Sequence, residues 1–168
     1  MIIALYGQSS SGKTTIANAL RQILEACPTR HCGEVVKARA KDLGVSFSDL
    51  PDAEHRAIDA DTRAWTEEQP NRAIVEGRYL HHVLSRTLVG LRLVEVVCDG
   101  AAREQRWAMR MKRALAVNEL NNMDSADRDF VTKMYPGRSP LSPGLIVDTT
   151  STAAENCAQQ ILEWVRQK

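Results

Sequence analysis

The chain has 168 residues, 43% hydrophobic and 26% charged, with 22 Lys+Arg against 21 Asp+Glu for a formal net charge of +1. That is enough chain for one globular domain with a continuous core, and the near-zero balance gives no bulk drive toward nucleic acid or an anionic membrane. No apolar run approaches the roughly 20 residues that span a bilayer, and "MIIALYG" lacks the basic start of a signal peptide, so a cytoplasmic protein without an obligate protein partner is expected.

"IIALY" (Ile2–Tyr6) reads as a buried strand, and helical spacing runs from Thr14 to about Ala26, ahead of Pro28. "EVVKARAKDLG" (Glu34–Gly44) is expected to be a helix closed by its glycine, and Asp52 to about Glu68 a second, with Pro70 just past its end. "RAIVEG" (Arg72–Gly77) is the next strand, and "LRLVEVVCD" (Leu91–Asp99) a third, less buried because of Arg92 and Glu95. A long basic helix is expected over Ala101 to about Asn121 and another over about Ser125–Met134, before the turn-rich "YPGRSPLSPG". "LIVDTT" (Leu145–Thr150) is the last strand and Thr152–Arg166 the closing helix. Strands alternating with helices predict an α/β domain, a parallel sheet with helices on both faces. The four cysteines (Cys27, Cys32, Cys98, Cys157) are scattered, with no CxxC pair, and read as reduced thiols.

Between the first strand and the first helix stands "GQSSSGKTT". Gly7-x4-Gly12-Lys13-Thr14 fits G-x-x-x-x-G-K-[ST] in full. Gly7 permits a sharp exit from the strand, and Gly12 lets the backbone close round a phosphate where N–H groups and the helix start favour negative charge. Residues Gly7, Gln8, Ser9, Ser10, Ser11, Gly12, Lys13, Thr14 and Thr15 are therefore expected to hold ATP. Within the loop, Lys13 would reach the β/γ-phosphates and the Thr14 hydroxyl would ligate Mg²⁺. The guanine-reading N-K-x-D and D-x-x-G of a switch GTPase are both missing, and the chain is short for a motor ATPase. A small P-loop phosphotransferase is what remains. Glu76 ends a central strand, near the strand ends where ligands bind in open α/β sheets, and could ligate Mg²⁺ through water or accept a proton from the attacking hydroxyl.

The succession "CGEVVKARAKDLGVSFSDL", "HRAIDADTRAW", "IVEGRYLHHVL", "REQRWAMRM", "DSADRDFVTKMYP" and "LIVDTT" resembles the compact, archaeal-type cytidylate kinases of the nucleoside monophosphate kinase family, over nearly the whole chain. The resemblance implies a single three-layer P-loop kinase domain over residues 1–168, with a five-stranded parallel sheet of order 2-3-1-4-5. It puts acceptor-binding helices at about 33–70 and a helical lid at about 106–135. It further implies that Arg78, beside Gly77, holds the acceptor's phosphate, a task suited to a planar guanidinium. Lys37, Arg39, Asp61 and Arg63 would line the acceptor side. Arg103, Arg106, Arg110 and Arg113 recur at spacings of three and four, a single basic stripe. From the stripe and the next helix, Arg110 and Arg128 would neutralise the transferring phosphoryl group. His81 and His82 read as pocket lining or surface, their adjacent side chains pointing about 100° apart.

Two departures are visible: Lys37 replaces the family's phosphate-gripping arginine, and Met123–Asp124 replaces an Arg-Glu pair. The leading expectation is a kinase moving the ATP γ-phosphate to a CMP- or dCMP-like pyrimidine nucleotide. The departures motivate an alternative on the same scaffold, phosphorylation of a hydroxyl. That hydroxyl would belong to a small metabolite or to a hydroxymethylated pyrimidine (5-hydroxymethyluracil) in DNA, as in some phage thymidine-hypermodifying kinases. With DNA as substrate, the basic stripe would follow the backbone. A third reading is a nucleotide-binding module that transfers nothing.

Overall fold

The structure, a computed structural model, describes residues 1–25, 27–69 and 71–167. Five strands form one sheet: β1 (Ile2–Tyr6), β2 (Thr29–His31), β3 (Ala73–Glu76), β4 (Leu91–Val97) and β5 (Leu145–Asp148). All pairings are parallel, in the order β2-β3-β1-β4-β5. This is the three-layer α/β arrangement expected of a P-loop kinase. The helices are α1 (Lys13–Ile23), α2 (Cys32–Asp42), α3 (Asp52–Glu67), α4 (Leu80–Val83), α5 (Gly100–Met111), α6 (Glu119–Met134) and α7 (Ala154–Arg166). None of the described helices is long and apolar enough to cross a membrane.

The period-2 alternation of β1 sorts the core into two layers. Ile3 and Leu5 point into a cluster with Ile16 and Leu20 of α1, Val94 and Val96 of β4, and Ile161 and Leu162 of α7. Ile2, Ala4 and Tyr6 point the other way, toward Val75, Leu80 and Leu84. Every β1 residue is buried, and each large aliphatic among them contributes about 1.5–3 kcal/mol by burial. Register fixes the functional end: Leu5 pairs with Glu76, His31 with Glu76, and Tyr6 with Glu95. The C-terminal ends of β1, β2 and β3 thus meet at one rim, at the point where the strand order reverses.

Several element boundaries differ from expectation for local reasons. The first helix begins at Lys13 and stops at Ile23, so its expected end at Ala26 and the Pro70 stop signal lie outside the described residues. Gly44 follows the end of α2 at φ +67°, as a closing glycine should. β2 has only three residues and shows no periodicity of its own. The largest difference is the basic helix expected over Ala101–Asn121. It ends at Met111, because Lys112 turns left-handed (φ 52°), and α6 starts at Glu119 after a left-handed Asn118. Glu119 holds the intervening turn: its carboxylate accepts from both Arg113 Nη atoms (2.9 and 2.8 Å), from Trp107 Nε1 (3.0 Å) and from the Ala116 N–H (3.0 Å). Those donors keep its carboxyl down at about 2.

Candidate active site

The loop between β1 and α1 is shaped by two glycines and one buried lysine. Gly7 has φ +145°, and a Cβ there would come within 2.2 Å of the Val96 carbonyl oxygen, so no other residue fits. Gly12, left-handed at φ +94°, delivers the chain into α1. Ser9 and Ser11 are buried, whereas Gln8, Thr14 and Thr15 are exposed and Ser10 is half-buried. Lys13 is buried and curls back over the loop, its Nζ donating to the Gln8 carbonyl at 2.6 Å. Burial disfavours the ammonium and pushes its pKa down to about 8, against the opposing pull of Glu76.

Beside the loop, the Thr14 hydroxyl donates to Glu76 Oε1 (3.2 Å), and His31 Nδ1 lies 3.2 Å from the same oxygen. Glu76 is buried at the end of β3. A hydroxyl and a carboxylate sharing one corner are hard oxygen donors of the kind Mg²⁺ takes, so these residues fit the ion that a nucleotide phosphate brings.

The basic stripe divides. Asp99 caps α5 by accepting from the Ala102 N–H (2.7 Å), which starts the helix just past β4 and turns its first arginines onto the phosphate loop. Arg103, 4% exposed, donates to the Ser9 carbonyl (3.0 Å), to Gln8 Oε1 (2.6 Å) and to both Asp124 oxygens (2.8 and 2.7 Å). Arg106 donates to Thr149 Oγ1 (2.8 Å) and to the Thr149 carbonyl oxygen (2.5 Å). Thr149 in turn donates to the Ser11 carbonyl (2.8 Å). Two arginines, one bidentate to a carboxylate of α6, therefore brace the loop.

On the other side of β3 lies a cavity of about 510 Å³, enclosed by α2, α3, the Gly77–Leu80 segment, α5 and α6. Its walls are apolar and aromatic, with Phe47, Ile58, Tyr79, Trp107, Phe130 and Tyr135 prominent. Tyr79 stacks on Phe130 (centroids 5.0 Å), and His55 meets Phe130 edge-on at 4.9 Å. Two carboxylates interrupt this wall. Asp127 accepts from Arg78 Nη1 (2.5 Å) and Tyr79 OH (2.7 Å), and Asp59 accepts from Tyr135 OH (2.7 Å). Burial raises the Asp59 pKa and lowers that of His55.

Of the residues singled out from sequence, Gly77 and Arg78 line this cavity and Glu76 ends the strand beneath it. Lys37 is exposed on α2, outside the cavity. Arg39 pairs with Glu54 (2.6 Å) in solvent, and Asp61 pairs with Arg30. Arg63 donates to the Val83 carbonyl (3.0 Å), holding the end of α4. Arg110 is exposed with its guanidinium 5.7 Å from the Trp107 ring, and Arg128 is exposed on α6. The structure does not bring these six to the loop or the cavity. His81 and His82 join a stack running from Tyr6 to Tyr135, with successive centroids 4.2, 4.3 and 5.1 Å apart. Sequence reasoning missed Arg103 and Arg106 as the loop's braces, although they open the stripe. It also missed the aromatic cavity, whose members are spread along the chain and form no pattern of their own.

A family model described as chloramphenicol phosphotransferase-like protein matches residues 1–166, and the chain belongs to that family. No curated protein sequence matches it. Among solved structures, it is similar to an uncharacterized protein from Eubacterium ventriosum (14% identity, 100% of this chain and 99% of that one, TM-score 0.71). It is similar to the shikimate kinase of Acinetobacter baumannii in complex with shikimate (16% identity, 99% and 93% covered, TM-score 0.67). It is also similar to a gluconokinase from Sinorhizobium meliloti (14% identity, 98% and 91% covered, TM-score 0.62). At these identities the structures attest the P-loop kinase fold. The family and the phosphate loop together make the chain an ATP-dependent phosphotransferase.

Proposed function

We propose that this member of the chloramphenicol phosphotransferase-like family moves the γ-phosphate of ATP to a hydroxyl group on a small, largely uncharged acceptor with an apolar or aromatic body. The observation that carries this reading is the cavity beside β3: about 510 Å³, walled by aromatic side chains, with Arg78, the one arginine among the described lining residues, already bound to a carboxylate. Chloramphenicol, named in the family description, is an uncharged aromatic alcohol and fits that class.

In this reading the chain is one kinase domain, with residues 33–70 on the acceptor side and 106–135 as the lid. Residues Gly7 to Thr15 cradle the triphosphate, Lys13 turning from the Gln8 carbonyl to the β/γ-phosphates. Thr14 would hold Mg²⁺, which would shield phosphate charge when bound. Arg103 and Arg106, rather than the exposed Arg110 and Arg128, form the cationic edge of the donor site. The aromatic wall positions the acceptor so that its oxygen attacks the γ-phosphorus in line. The new P–O bond forms as the bond to the β–γ bridging oxygen breaks and ADP departs. Glu76, between loop and cavity, takes the hydroxyl proton. An ATP-consuming enzyme with free thiols suits the cytoplasm.

A pyrimidine nucleotide acceptor, as in cytidylate kinases, is favoured by Arg78 at the cavity wall. Against it stand the Arg78–Asp127 pair and the position of Lys37 outside the cavity. A DNA acceptor has lost Arg103 and Arg106 from its supposed backbone track. The deciding measurement is ADP release by purified protein with ATP and Mg²⁺, against chloramphenicol and other aromatic and aliphatic alcohols, CMP, dCMP, and duplex DNA containing 5-hydroxymethyluracil. Turnover of an uncharged alcohol, abolished by Lys13→Ala, is expected. Turnover of monophosphates or DNA alone would refute the proposal.

A further inference from the structure

Among the described residues lining the acceptor cavity, Arg78 carries the only guanidinium, and Asp127 of the lid helix α6 occupies it. The pair is largely withdrawn from solvent, with side-chain exposures of 27% and 18%. Tyr79 adds a second hydrogen bond to the same oxygen, and the guanidinium carbon lies 5.9 Å from the Tyr79 ring centroid. Asp59 adds a second carboxylate to the wall, held by Tyr135, and His55, with its pKa lowered, adds no fixed positive charge.

Resting on the hydroxyl-acceptor reading above, we propose that Asp127 is the specificity determinant of the acceptor cavity, selecting uncharged hydroxyl acceptors against those that carry a phosphate or carboxylate. An anionic acceptor meets an arginine whose Nη1 is already bonded to a carboxylate, and so a like charge at hydrogen-bonding distance from that nitrogen. It must displace a charge-assisted bond in a poorly solvated site, where repulsion between anions is least screened. An uncharged alcohol bears neither cost and can stack against Tyr79 and Phe130. The selectivity is negative: it comes from a group that disfavours the wrong ligand. Because Asp127 sits on the lid, the discrimination is made by the element that closes over the substrate.

The test is direct binding, by titration calorimetry, of CMP and of inorganic phosphate to wild type, Asp127→Asn, Asp127→Ser and the double variant Asp127→Asn/Arg78→Ala. The neutral variants free Arg78 for an oxyanion. Both are expected to bind CMP about 10- to 100-fold more tightly than wild type, the range of one charge-assisted hydrogen bond. The double variant is expected to lose the gain, and ATP affinity to stay unchanged as a sign of intact folding. Asp127→Ser carries the test where Asp127→Asn does not fold. No gain in either neutral variant, or a gain that survives loss of Arg78, overturns the assignment. Failure of the hydroxyl-acceptor reading is seen separately, in wild-type turnover against the acceptor panel.

Discussion

Arg103→Ala removes a guanidinium that makes four hydrogen bonds from a nearly fully buried position. What is left is a Ser9 carbonyl without its donor and an Asp124 carboxylate without its counter-charge. Breaking a buried ion pair from one side costs about 3–5 kcal/mol. Asp124 keeps some solvent (13% exposed) and the Gln8 amide at 3.3 Å, which moves the expectation to the low end, about 3 kcal/mol. Against a typical domain stability of about 5–15 kcal/mol this is a large fraction. At about 2–4 °C per kcal/mol for a chain of this size, the melting temperature should fall by about 6–12 °C. Urea titration gives the free energy, and ATP binding on the folded variant reports the loop. Arg103→Lys should recover part of the stability but not the bidentate contact. A variant that melts within about 2 °C of wild type and binds ATP normally would refute the brace.

Lys13 links pH to both stability and donor binding, with opposite signs. Its folded pKa of about 8 lies below the ordinary value of about 10.4. Between those values the unfolded chain holds a proton that the native, nucleotide-free protein does not, so this group makes stability rise with pH there. ATP needs the ammonium, so its dissociation constant should rise above pH 8, approaching about tenfold per pH unit. A dissociation constant flat from pH 7 to about 9.5 would show that Lys13 is not in the depressed state. Gly7→Ala should abolish ATP binding and lower stability by about 3 kcal/mol or more, because a Cβ 2.2 Å from the Val96 carbonyl adds to the strain of φ +145°. Calorimetric unfolding checks it.

The phosphate loop was legible because its residues are contiguous and its fixed positions, Gly7, Gly12, Lys13 and Thr14, each answer a local demand of backbone or charge. The sheet order was implied by the family resemblance before β2 could be recognised at all, since three residues after a proline carry no period. The helix break at Lys112 was invisible for a different reason. "RWAMRMKRALAVNEL" keeps helical spacing throughout, and what interrupts it is a left-handed residue plus a carboxylate, Glu119, reaching back to Arg113 and Trp107. The arginine stripe was legible as a face but not as a function. Which of its members reach the loop depends on the launch of α5 from β4, a tertiary angle fixed by the Asp99 cap. The cavity was the least legible part, because Phe47, Tyr79, Trp107, Phe130 and Tyr135 converge only in the fold.

Asp124 and Asp127 stand one turn apart on α6, one gripping Arg103, the brace of the phosphate loop, and the other Arg78 of the cavity wall. A rigid rod pinned at two neighbouring points has no pivot between them. Lifting the helix off the site would break both pairs together. In the proposed kinase cycle this would make α6 a common bolt, with ADP and the phosphorylated acceptor leaving in a single event. Chemistry confined to the interval between two such events is shielded from water on both sides, which favours transfer to the acceptor over wasteful hydrolysis.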